Sequence, residues 1–281
     1  MLKCKTQQWT TIYMPKIAVN DINIYYETGG IGERLLYISG TGGDIRNKPS
    51  IFESPLVDHF EVLTYDQRGF GQTSKPDKPY SMAGYADDAA GLLDVLNWDR
   101  CLVIGISFGG MVAQEFALRH TQRIRKLALK CTSSGGAGGD SYPLHELANL
   151  SVEEKARKTI ELSDRRCHRQ WQTENPSAFQ PLLDFTVSQM SVAVNYPEFT
   201  IGARRQLDAR KLHNTWDRLP SLSIPTGIFG GEFDDISPKQ NLENLQLAIP
   251  GSNLQMFKGG HLFHLQDKNA WPAIISFLKS E

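Results

Sequence analysis

The chain has few of the features that commit a sequence to a metal, a membrane or a nucleic acid. Its four cysteines, Cys4, Cys101, Cys131 and Cys167, follow neither a metal-ligand spacing nor a disulfide framework. Cys101 and Cys131 fall in apolar runs, so free core thiols are expected. Charge of one sign is also missing: 30 basic residues stand against 31 acidic ones, for a net charge of −1. Without a strong field or a Lys/Arg run, nucleic acid is a poor partner. No apolar stretch reaches the roughly 18 residues that a membrane helix needs, and "MLKCKTQQWTTIY" has no signal-peptide core. Neither G-x-x-x-x-G-K nor G-x-G-x-x-G occurs, and "HELANL" at His145 lacks the second histidine of H-E-x-x-H. The expectation is a cytoplasmic protein with a small-molecule partner, no nucleic acid, no membrane, no metal and no cofactor.

With 40% hydrophobic residues in 281, there is enough chain for one large core or a core with an insertion. Residues 1–13 show no period and read as a loose extension, with Met14 as the natural start. "KIAVNDINIYYET" alternates and breaks at Asn20-Asp21, which predicts a hairpin. Short apolar runs then alternate with helical patterns: "RLLYISG", "FEVLTYDQRG", "GYADDAAGLLDVLNW", "RCLVIGIS", "GGMVAQEFALRH" and "IRKLALKCTS". That rhythm predicts a mostly parallel sheet with helices on both faces. It stops at "SGGAGGD" (134–140) and resumes at "SIPTGIFGG". Residues 14–134 and 219–281 are therefore expected to form the core, and 135–218 a helical insertion.

Gly105-Ile106-Ser107-Phe108-Gly109 places a hydroxyl where a strand turns directly into a helix. A serine is a poor nucleophile unless a held base takes its proton. His261, in a tight glycine loop after the last apolar strand, is the expected base, with His264 as competitor. Glu232, Asp234 and Asp235 all follow the strand ending near Phe229, and residue type alone does not choose among them.

These motifs resemble the α/β-hydrolase superfamily, in particular serine-nucleophile members such as 3-oxoadipate enol-lactonases and related carboxylic ester hydrolases. The order Ser107, acid, His261 is that superfamily's triad order. Its G-x-x-D-x-x-x-P acid loop fits Gly231 through Pro238 and selects Asp234. The resemblance implies oxyanion donors from the backbone N–H groups of Thr41 and Phe108, the former in "SGTGG" (39–43) with Ser39 in place of the family histidine. It also implies a structural D-x-R-G-x-G turn at 66–71, expected to hold an Asp66–Arg68 ion pair. The insertion becomes a lid carrying specificity, where the stretch 202–216 offers Arg204, Arg205, Arg210, His213 and Trp216. The resemblance to enol-lactonases and related C–C hydrolases implies that an arginine there reads a substrate carboxylate, with Arg204, Arg205 and Trp216 as the candidate substrate contacts. The plainer reading pairs Arg204 with Asp208 on an exposed helix and leaves Trp171 and Met190 to pack the lid itself. The implied activity is hydrolysis of a small ester or lactone through an acyl-enzyme. The same residues also suit C–C bond hydrolysis, perhydrolysis or cofactor-free lyase or oxygenase chemistry, and the same fold suits a non-catalytic receptor.

Overall fold

The structure, a computed structural model, describes residues 16–194 and 198–280; the expected extension 1–13 and Met14 lie outside the described residues. The chain opens with a two-stranded hairpin, β1 (Ile17–Val19) and β2 (Ile22–Ile24), turned by Asn20 at φ 51°. The next stretch does not continue as one strand. At Tyr25 it crosses to the main sheet, because the Tyr25 N–H bonds Thr73 Oγ1 and its carbonyl accepts from Asp66 N–H. β3 (Tyr26–Gly29) then pairs antiparallel with β5.

The main sheet has the order β3-β5-β4-β6-β7-β8-β9. Its parallel members are β4 (Glu33–Ile38), β5 (Phe60–Tyr65), β6 (Cys101–Ile106), β7 (Ile124–Lys130), β8 (Thr226–Gly231) and β9 (Asn253–Phe257). These strands read as unbroken apolar runs because both faces are covered. On one face lie α1 (Met82–Val95), α2 (Phe108–Arg119) and α7 (Lys239–Ala248). On the other lies α9 (Ala270–Lys279), preceded by the short α8 (Phe263–Gln266), with Trp271, Ile274, Ile275 and Leu278 inward. Between β7 and β8 come α3 (Val152–Ser163), α4 (Arg169–Glu174), α5 (Pro176–Val194) and α6 (Phe199–Lys211). α3 is sharply started by a capping box of Ser151 and Glu154. Trp171 and Met190 pack with Ile160 and Phe179 in a small core belonging to these helices. No described helix is long and apolar enough to cross a membrane.

The turn at 66–71 is wired differently from the expected Asp66–Arg68 pair. The pair is not made, because each side chain is taken by other partners. Arg68 turns to buried Asp88, with contacts of 2.8 and 2.7 Å, and to Asp21. Asp66 instead accepts backbone N–H bonds from Ile45 and Gln72 at 2.8 and 2.7 Å, and burial pushes its pKa up to about 7.

The last residue of β7, Lys130, is wholly buried with no hydrogen-bond partner for Nζ. The amine sits among the rings of Tyr37, Phe263 and Trp271, 4.3 Å from the centre of the last. Burial pulls its pKa down to about 7. In the unfolded chain an ordinary lysine titrates near 10.4, so between about pH 7 and 10 the unfolded state holds the extra proton and stability rises with pH. Lys130→Met is expected to raise Tm at pH 7 and to flatten that part of the pH dependence, as measured by thermal denaturation from pH 6 to 10. Parallel curves for the two proteins would contradict the buried-amine account.

Candidate active site

Ser107 lies between β6 and α2 with φ 55° and ψ −119°, a conformation that a side-chain-bearing residue adopts only under constraint. The glycines two residues either side explain how it is tolerated. A Cβ at Gly105 would strike the Gly109 carbonyl, and one at Gly109 would strike the carbonyls of Ile38 and Ser39. The serine's own backbone is held in turn. Its N–H donates to Lys130 O at 2.8 Å, and its carbonyl accepts from Thr132 Oγ1 at 2.8 Å and from the N–H groups of Gly110 and Met111. Phe108 is the first residue of α2, so its N–H has no acceptor within the helix and faces the site with the positive end of the dipole.

The β4 loop comes close on the other side, where a Cβ at Gly40 would lie 3.4 Å from Ser107 Cβ. Thr41 follows in that loop. Gln67 Nε2 holds the Ser39 carbonyl at 2.8 Å, and Gln206 Oε1, from α6, accepts the Gly42 N–H at 2.9 Å. Gln206 is fully buried. Its role was not legible in the sequence, where a glutamine in a polar helix carries no signal.

Asp234 is 1% exposed. Its Oδ1 accepts from the N–H groups of Ile236 and Ser237 at 2.8 and 3.0 Å, and its Oδ2 lies 2.7 Å from His261 Nδ1. That leaves Nε2 as the ring nitrogen able to take a proton. Asp235 points outward to Arg165 at 3.0 Å. His264 packs against Trp271 and near Lys130, and burial keeps its pKa well below the usual range. The buried thiol of Cys131 lies within 4.8 Å of the facing atoms of Asp234 and His261. Burial holds that thiol protonated, its pKa far above the ordinary value.

The insertion is bound to both of these loops. At the end of α3, the carbonyls of Leu162 and Ser163 accept the N–H groups of Asp235 and His261 at 2.9 and 2.6 Å, and Arg165 N–H donates to Phe233 O. Asp164 takes a side-chain bond from Gln266, whose Oε1 accepts Gly260 N–H. At the far end, Thr215 Oγ1 donates to Gln114 on α2, and Arg218 pairs with Glu115.

The candidate substrate contacts fall elsewhere. Arg204 and Arg205 both turn to Asp77 on the core, at 3.5 and 2.8 Å. The expected Arg204–Asp208 pair is not made, because Asp77 reaches both guanidinium groups from outside the helix. Trp216 is half-buried over Gly138, in the glycine turn that starts the insertion, and backs onto the core beneath α2. His213 is buried with Nε2 3.1 Å from Ser133 O, and burial pulls its pKa down to about 4.

A sequence model described as the alpha/beta hydrolase fold matches residues 33–268, and the chain belongs to that family. Among curated relatives it is 28% identical to a poly(3-hydroxyalkanoate) depolymerase of Ectopseudomonas oleovorans, over 88% of this chain and 84% of that one. Its fold is shared by a meta-cleavage product hydrolase from Pseudomonas fluorescens (TM-score 0.77, 20% identity, covering 93% and 96% of the two chains). It is also shared by an enol-lactonase from Burkholderia xenovorans (TM-score 0.76, 22% identity, covering 95% and 100%).

The bond from Gly42 to Gln206 ties the loop bearing Thr41 to the insertion. Gln206→Leu removes the acceptor and strands a backbone donor, at a cost of about 1–3 kcal/mol. A lowered Tm is expected in thermal denaturation; an unchanged Tm would mean that the Gly42 amide finds another partner.

Proposed function

We propose that the protein is a serine hydrolase that cleaves a small carboxylic ester or lactone through an acyl-enzyme. One observation carries this reading: the 2.7 Å bond between His261 Nδ1 and a buried carboxylate, Asp234, on the loops after β9 and β8, with Ser107 held in a strained elbow after β6 at the same end of the parallel strands. His261 Nε2 takes the Ser107 proton as Oγ attacks the substrate carbonyl. Asp234 fixes the imidazole's tautomer and stabilises its charged form. The N–H groups of Thr41 and Phe108 receive the oxyanion, each donor contributing about 10²–10³ in rate. His261 then protonates the leaving oxygen, and a water activated by the same base releases the acid. The relative named as a poly(3-hydroxyalkanoate) depolymerase supports ester chemistry for this chain. In the same reading, 135–218 covers the site as a lid, and its anchorage at α3 keeps the base and acid loops in register.

A fluorophosphonate probe is expected to label Ser107 alone in peptide mapping, and labelling that survives Ser107→Ala would sink the proposal. Asp234→Asn should lower kcat by up to about 10⁴ with the fold intact, by analogy with the orienting acid of serine proteases. Asp235→Asn, which loses only an exposed contact to Arg165, should change kcat by less than about tenfold. Steady-state kinetics on short-chain aryl esters decides between them; the reverse ranking would assign the acid to Asp235.

A further inference from the structure

Three neighbouring strands of the sheet, β7, β8 and β9, each carry one metal-ligating side chain just past their C-terminal ends. Cys131 directly follows β7, Asp234 lies in the loop after β8, and His261 in the loop after β9. One donor atom from each residue lies within 4.8 Å of the other two, and all three residues are buried. Because the ligands come from separate loops, no spacing in the sequence announces them. The Cys131 backbone is also held in an unusual state. Its φ is 45°, and its N–H donates to the Phe229 carbonyl at 3.0 Å. Apart from glycines, the described residues at positive φ are Asn20 and Asn97, whose side chains suit that region, and Ser107 and Cys131. The last two both stand at strand ends of the candidate site. Ser107 has the role of nucleophile in the reading above, and Cys131 has none. Constrained backbone of this kind gathers at functional sites.

The donor set selects its ion. Thiolate and imidazole are ligands of zinc and other thiophilic metals, whereas magnesium and calcium take shells of about six to eight oxygens. A thiolate and a carboxylate together carry two negative charges, which balance one divalent cation in a buried space. Tetrahedral zinc lies about 2.0–2.3 Å from each donor, which sets neighbouring donors about 3.3–3.6 Å apart. His261 Nδ1 and Asp234 Oδ2, now at 2.7 Å, would part by about 0.6 Å to admit it. The thiol, at most 4.8 Å from either partner, would close by no more than about 1.5 Å. The fourth corner is left for water.

We infer that Cys131, Asp234 and His261 form an inhibitory site for zinc or a similar thiophilic divalent cation. As an inhibitory site it rests on the serine-hydrolase reading given above; as a metal site it does not. The cation replaces the proton on the Cys131 sulfur, and that proton leaves to solvent. It also takes the place of the proton on His261 Nδ1. The neutral ring keeps one proton, which moves to Nε2, so the nitrogen that should receive the Ser107 proton is already occupied. The Asp234 bond that fixes the working tautomer is lost in the same step. Burial holds the thiol firmly protonated, so the cation binds against that proton and the site is a reversible one.

The test adds zinc chloride, cobalt chloride or, as a control, magnesium chloride to the full chain. Zinc is expected to stop turnover of a short-chain aryl ester and to slow fluorophosphonate labelling of Ser107. EDTA should restore both, and magnesium should affect neither. Cys131→Ser should need about tenfold more zinc, or still more, for half-inhibition of its own rate, because even an outer partner of a metal ligand is worth about 10–100-fold in affinity. A second measurement needs neither turnover nor a Cys131 variant. Cobalt added to the wild type should give thiolate-to-cobalt charge-transfer absorption in the near ultraviolet, and zinc should displace it. The Cys4→Ser, Cys167→Ser double variant should keep that band, and Cys131→Ser should lose it. The inference is overturned by turnover that zinc leaves unchanged, by equal zinc sensitivity in Cys131→Ser, or by a cobalt band that is missing or disappears with Cys4 and Cys167. Turnover undiminished in Ser107→Ala would end the hydrolase reading instead, and the cobalt spectrum would still judge the metal site by itself.

Discussion

The backbone of Ser107 is the constraint around which the rest of the site is arranged. A side-chain-bearing residue at φ 55° and ψ −119° carries strain of about 1–3 kcal/mol. Such a conformation persists only where its surroundings over-determine it. Here the strand-to-helix turn is closed by the Lys130 carbonyl, the Thr132 hydroxyl and the first amides of α2, and the glycine at 109 lets the β4 loop approach to contact. The nucleophile candidate, the amide of Phe108 and the loop bearing Thr41 are thus brought together by one local geometry. Changing either flanking glycine would disturb all three.

The segment between β7 and β8 is less separate than its helical pattern suggests. The carbonyls of Leu162 and Ser163 at the C-terminal end of α3 are acceptors that the helix itself leaves open. They are taken up by the amides of Asp235 and His261, on two different loops of the core. Gln206 binds the β4 loop, and Thr215 and Arg218 bind α2. A segment bonded this way braces the loops that carry Asp234 and His261, and the end of α3 cannot move without releasing both.

Buried charge is handled in contrasting ways across the molecule. Arg68 is matched by Asp88 and Asp21, which secures the turn beneath the insertion. Lys130 has no anion and lies against aromatic rings, where the amine can give up its proton. Arg210 has neither an anion nor that escape. The first two are answered within the fold. The third is left with its Nε and Nη2 unpartnered.

Much of the architecture was legible in the sequence, because apolar runs closed by glycine and helical faces such as Tyr85, Ala89, Leu92 and Leu93 report burial directly. The elbow was legible because backbone sterics permit only glycine at two of its positions. Gly231 through Pro238 picked out Asp234 over Asp235 by register, and the structure places Asp234, not its neighbour, against His261. What the sequence could not supply were pairings between residues distant in the chain. Arg68 chose Asp88 and Asp21 over nearby Asp66, Arg204 and Arg205 chose Asp77 over Asp208, and Gln206 became a brace for a loop more than a hundred residues away. Local periodicity says which face of a helix is buried, but not what lies beneath it. The same polar residue is a solvated side chain, a brace or an unpaired charge according to the neighbours that only the folded chain brings within reach.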